Sequence, residues 1–124
     1  MRTNKQKLRS ECDSAWKEIV LQRADFKCEI CGGTFRITGH HFYPRGLYGH
    51  LRYNPENGVA LDFPCHFAHH HRGDPSIHDK IIAKRGMEWY DNLKESAYNR
   101  PKSSFQTIGY YQGIKDKLNQ ELND

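Results

Sequence analysis

From Thr3 to Arg23 the residues Leu8, Cys12, Ala15, Trp16, Ile19 and Val20 recur at spacings of three and four. This period predicts an amphipathic helix over residues 3–24, with Lys5, Lys7, Arg9, Lys17 and Arg23 on a solvated opposite face. The pattern then shortens. The β-branched and aromatic run Phe35–Phe42 predicts a strand, on which alternation sends His40 and His41 to opposite sides. Gly58–Asp62 predicts an antiparallel return strand. Between them Tyr43–Asn57 is too long for a plain turn, and its glycines, prolines and aromatics mark it as a functional loop.

Pro64 suits the first turn of a helix through Cys65–His71, which Gly73-Asp74-Pro75 would break. Ser76-Ile77-His78-Asp79 has the spacing of a capping box, with Asp in place of Glu, and predicts a helix to Gly86. A further helix, Met87–Tyr98, presents Trp89, Tyr90 and Leu93; the two helices within residues 76–98 would cap the core. Arg100–Ser104 reads as a linker. The segment Phe105–Asp124 has weak helical periodicity in Ile108, Tyr111, Ile114, Leu118 and Leu122, suited to docking on the body or on a second copy. The expectation is an α+β fold, with residues 1–100 as one domain and 101–124 as linker and helical tail. No internal repeat is present.

Composition narrows the class. A chain of 124 residues with 36% hydrophobic residues supports one modest core. Mean hydropathy of −0.92 leaves much of it as surface. No apolar run approaches the ~20 residues of a membrane span. Met1–Lys7 has no apolar stretch behind it and is not expected to be a signal peptide, so the expected place is the cytoplasm, without secretion. A net charge of +4 favours an anionic partner.

Cysteine usage brings in the chemistry. Four cysteines in an intracellular chain argue against a disulfide framework. Cys28-x-x-Cys31, followed by Gly32 and Gly33, has zinc half-site spacing; no βαβ pattern supports a redox dithiol. Cys12 reads as an ordinary helix residue. In Cys65–His71 the helical period puts Cys65 and His69 on one face, and His66 and His70 on a second about 100° away. One short helix can therefore serve two metal sites. His50, His71 and His78 read as surface polar or hydrogen-bonded core histidines.

In order, the central region gives Cys28-x-x-Cys31, His40-His41, Asn57, Cys65-His66 and His70. This series resembles the HNH, or ββα-metal, endonuclease family over residues 26–73. The resemblance implies a two-stranded hairpin and a helix around one divalent cation (Mg, Mn, Ni or Zn). His40, His66 and His70 would be its ligands, His41 the general base, and Asn57 the brace of the loop and of His41. It also implies a structural zinc on Cys28, Cys31 and Cys65. For its fourth ligand His69 comes first, Asp62 second, and a site lacking a fourth protein ligand third.

A narrower resemblance joins His41-Phe42-Tyr43-Pro44-Arg45-Gly46, Leu51–Asn57, Ile81–Gly86 and Trp89 to the phage NinG/Rap recombination-endonuclease group. It implies a partner in DNA, branched at recombination or replication intermediates, a host-cell cytoplasmic location if phage-encoded, and a homodimer as one way to cut two strands. Arg45, Arg52 and Arg72 would contact DNA, and Tyr43, Tyr48 and Tyr53 would mainly pack the loop. A sequence-reading homing or restriction-type HNH nuclease, a non-catalytic zinc-stabilised DNA-binding module and a metal-storage or metal-sensing protein are the alternatives.

Overall fold

The computed structural model describes residues 3–101 and 106–124. Thr3 caps α1 (Asn4–Arg23): its hydroxyl accepts from the Gln6 amide while the Gln6 side chain accepts from the Thr3 amide. The helix is followed by a loop that carries Cys28 and Cys31, and then by β1 (Thr38–His41). This strand is shorter than Phe35–Phe42, because Arg36 takes a left-handed backbone with φ of 50° and interrupts extension. The 43–57 loop is ordered by two short 3-10 turns, Gly49–Leu51 and Pro55–Asn57, and leads into β2 (Gly58–Leu61). The strands pair antiparallel, with His40 opposite Val59 and His41 opposite Gly58. Helices α2 (Phe63–His71), α3 (Ser76–Arg85), α4 (Met87–Tyr98) and α5 (Ile108–Asn123) complete the α+β fold.

The hairpin is covered on both faces, which explains why every residue of β2 is buried. On one face Ala60 meets Cys12, Ala15, Trp16, Ile19 and Val20 of α1, and Tyr111 and Leu118 of α5 seal that helix from the other side. On the other face Val59 and Leu61 pack with Phe42, Leu51, Ile77, Ile81, Leu93 and Ala97. Gly58 is required by the first packing, since a β-carbon there would run into Val20 and lie 2.9 Å from Trp16 Cζ2. The tail thus docks on the body. The expected linker falls, from Lys102 to Ser104, outside the described residues, as does Phe105. The expected Ser76 capping box does not form: Pro75 occupies the cap position, and the Asp74 carboxylate accepts from the Ser76 amide instead. Among the described residues no helix is long and apolar enough to cross a membrane.

Candidate metal centres

The cysteine loop is tied to the sheet edge by Glu29, whose amide donates to the Ala60 carbonyl and whose carboxylate accepts from the Ala60 amide. Arg85 from α3 grips the same carboxylate at 2.8 Å and donates to the Gly58 carbonyl. This places Cys28 and Cys31 beside the start of α2. There Cys28, Cys31, Asp62 and Cys65 bring one ligand atom each within 4.8 Å of one another, a group that can hold a metal ion. Close approach leaves no room beside Gly33, where a β-carbon would strike the Asp62 carboxylate; the Gly33 amide instead points at Cys31 Sγ, 3.4 Å away.

Asp62, rather than His69, is the fourth member. As the N-cap of α2 it accepts from the Cys65 amide through Oδ1, which turns Oδ2 to within 2.8 Å of Cys31 Sγ. His69 lies about 6 Å further along the helix axis than Cys65, because four residues rise 1.5 Å each. That displacement takes its ring into the histidine cluster. Burial opposes ionisation of Asp62, but hydrogen bonds from Cys31 and Cys65 hold it below the ordinary carboxylate value. The same hydrogen bond, donated to Asp62, holds the Cys31 thiol above its usual value, and burial raises Cys65. Protonated thiols suit the Asp62 carboxylate as hydrogen-bond donors, whereas three thiolates and a carboxylate this close would repel one another unless a divalent ion offset their charge.

On the second face of the hairpin, His40 is buried among imidazoles of two helices. Its ring centroid lies 5.5 Å from His66, 5.0 Å from His69, 5.3 Å from His70 and 5.4 Å from His78. Two triads, His40–His66–His70 and His40–His69–His78, each bring ligand nitrogens within 4.8 Å. Burial, reinforced by the charges of His78, His69, His66 and His70, pushes His40 down to about 2. Burial and then His69 and His70 push His78 to about 4, and His66 and His70 are lowered by burial and by neighbouring imidazoles. These shifts favour the neutral form of His40, His66, His70 and His78 near pH 7, the form that ligates metal. His78, read from sequence as a bland histidine, belongs to this cluster. It arrives from α3, and only tertiary packing reveals it; Phe42 stacks on its ring at 4.3 Å.

His41 ends β1 on the opposite side, yet borders the same cavity of about 370 Å³ as His40, Arg45, His66, His69, His70 and His78. Its ring stacks on Trp16 with centroids 4.0 Å apart and planes 4° from parallel, and Nε2 lies 2.9 Å from the Arg52 carbonyl. Since a carbonyl only accepts, Nε2 carries the proton and Nδ1 the lone pair. Burial lowers the His41 pKa; the Arg52 carbonyl opposes this, and the charges of Arg45 and Arg52 add to it. Asn57 is fully buried. Its side chain accepts from the Tyr43 amide and donates to the Tyr43 and Leu51 carbonyls, so it braces the loop and not the His41 ring itself.

Of the expected DNA contacts, Arg45 stands exposed at the cavity mouth and Arg72 is exposed over the Phe67 ring. Arg52 is engaged elsewhere: its guanidinium makes a bidentate pair with Asp13 at 3.0 and 2.8 Å and tethers the loop to α1. Of the tyrosines, Tyr53 is buried against Tyr111, and Tyr43 packs on Phe42 and Tyr48, as packing residues would. An aromatic strip, Phe63, Phe67 and His71, runs down α2 beside His66 and His70, flanked by Phe35, Arg36 and Arg72. Compared with models of known families, with curated proteins and with solved structures, the chain matches none.

Proposed function

We propose that the chain is a metal-dependent endonuclease of the HNH, or ββα-metal, class that hydrolyses DNA phosphodiester bonds. One observation carries this reading: an imidazole with a defined proton-accepting nitrogen, His41, shares a cavity with the triad His40, His66 and His70. Storage or sensing of a metal would need the triad but not a stacked, hydrogen-bonded neighbour whose free lone pair is on one known atom. His41 Nδ1 would take a proton from the attacking water, with Trp16 fixing the ring plane and the Arg52 carbonyl fixing the tautomer. Asn57 holds the loop that delivers that carbonyl, through Leu51 and Tyr43. Arg45 would meet the phosphate at the cavity mouth, and the exposed ring of Phe63 and the half-buried ring of Phe67 beside Arg72 would stack on unpaired bases.

A divalent cation on His40, His66 and His70 would offset charge at the phosphate and the leaving 3′ oxygen. Cys28, Cys31, Asp62 and Cys65 would hold a structural zinc. Preference for branched DNA is supported by the resemblance of His41–Gly46, Leu51–Asn57, Ile81–Gly86 and Trp89 to recombination endonucleases.

The test is incubation of the purified chain with linear duplex, single-stranded and four-way-junction DNA in Mg²⁺, Mn²⁺, Ni²⁺ or Zn²⁺, beside His41→Ala. Cleavage is expected with at least one metal, fastest on the junction, and reduced about 10²- to 10⁴-fold in the variant. No cleavage under any condition would refute the enzyme and leave a zinc-stabilised binding module. Undiminished cleavage by His41→Ala would refute the base assignment, and equal cleavage of linear and branched DNA the substrate preference.

A further inference from the structure

The triad assigned above uses three of the five imidazoles in the cluster, His40 among them. The other two, His69 and His78, stack with centroids 4.4 Å apart and planes 22° from parallel. Their surroundings are those of a ligand set. His40 Nε2 and His78 Nε2 lie 3.2 Å apart. Two nitrogens bound tetrahedrally at zinc–nitrogen distances are separated by roughly 3.3 Å. His69 Nδ1 is buried with no hydrogen-bond partner, although buried polar atoms in folded proteins nearly always have one, or an ion in its place. The triad His40–His69–His78 is also less exposed than His40–His66–His70, whose third member is on the surface.

We propose that His40, His69 and His78 form a second seat for a nitrogen-preferring divalent transition ion of the Zn²⁺ and Ni²⁺ class, in competition with the His40–His66–His70 seat. An all-imidazole set with no carboxylate suits such ions and not Mg²⁺ or Ca²⁺. The competition follows from His40. A neutral imidazole has one lone pair and one N–H, so it ligates one ion at a time. The cluster therefore takes one ion in two alternative positions, one facing Arg45 and the aromatic strip, the other turned toward α3. The inference stands on the geometry of the five rings and does not depend on the nuclease reading.

The test uses the full chain with one Zn²⁺ in its thiol site, titrated with Ni²⁺ by calorimetry. Wild type, His66→Gln/His70→Gln, His69→Gln/His78→Gln and His40→Gln are compared, with retained zinc and far-UV dichroism reporting the fold. Wild type is expected to bind one Ni²⁺, each double variant one, and His40→Gln at least about tenfold more weakly than wild type. A folded His66→Gln/His70→Gln that binds no Ni²⁺ would overturn the second seat and reduce the 3.2 Å contact to an N–H···N hydrogen bond. Two Ni²⁺ bound at once in the wild-type cluster would overturn the competition. Loss of binding only in His69→Gln/His78→Gln would support the second seat while refuting the ion at the first. Should a variant fail to fold, ¹⁵N-imidazole spectra of the wild type with Zn²⁺ decide. Shifts of the His69 and His78 ligating nitrogens support the proposal, and shifts confined to His40, His66 and His70 refute it.

Discussion

Asp62 performs two tasks with two oxygens, capping α2 through Oδ1 and facing the thiols through Oδ2. The tasks separate by substitution. Asp62→Asn keeps an oxygen for the cap but loses the charge, so zinc affinity should fall about tenfold or more with little change in metal-free stability. Asp62→Ala should lose both, costing about a further 1 kcal/mol in urea denaturation. Equal metal-free stabilities would refute the capping role, and unchanged zinc affinity in both would exclude the carboxylate from the site. Sequence periodicity favoured His69 because residues four apart share a helix face; it carries no record of axial rise, which decides the matter. Cys12 is a second residue with a measurable signature. Its thiol, wholly buried, donates to the Tyr111 carbonyl across α1 and α5, and burial, then Asp13 and Glu11, push it from 9.0 to about 11. Because the folded value lies above the unfolded one, stability from this group is complete below about pH 9 and declines as pH rises toward 11. Under reducing conditions the loss from pH 8 to pH 10.5 should be on the order of 2 kcal/mol larger in wild type than in Cys12→Ala. The buried tyrosines contribute alkaline loss to both chains alike; identical slopes would refute the assignment.

At the scale of elements, the hairpin and helices were legible because each has its own period, and the observed spans fall within a few residues of those expected. What local pattern could not supply is the way elements clamp one another. Arg52 looked like a phosphate contact because a basic residue in a Gly-rich loop has no local partner. Its partner is Asp13, 39 positions away on α1. His78 entered the cluster in the same manner, 38 positions from His40. The joint of α1 with β2 is the most demanding of these clamps, since Trp16 touches Gly58 and Gly39, stacks on His41, and donates to the Asn54 carbonyl. Gly58→Ala should force Trp16 and Val20 aside, costing about 1–3 kcal/mol in thermal or urea unfolding. On the proposed nuclease reading it should also slow cleavage beyond what the folded fraction explains, because the His41 ring stacks on Trp16. Wild-type stability would show that the helix can retreat at no cost, and a rate that tracks only the folded fraction would sever Trp16 from His41.

At the scale of the molecule, the two-stranded sheet separates two apolar clusters: α1 and α5 with Ala60, and α2, α3 and α4 with Val59 and Leu61. Such a small sheet cannot stand alone, so each side depends on the other through two four-residue strands, while Cys28 and Cys65 of the thiol site pack on the second side. Composition showed a modest core but not its division. The division follows from alternation along β2, with His40 and His41 on opposite sides as the sequence implied. It makes metal removal a local event first. Stripping an ion held by Cys28, Cys31, Asp62 and Cys65 would free the cysteine loop and the start of α2, whose own helix buries no residue completely. Hydrogen exchange after chelation should therefore accelerate at least about tenfold in residues 28–34 and 62–72, while Cys12–Leu21 and Tyr111–Leu118 keep their protection. Loss of protection across all helices together would mean that the site supports the whole fold as one cooperative unit. No change in residues 28–34 would mean that Glu29, through Ala60 and Arg85, holds the loop without any metal.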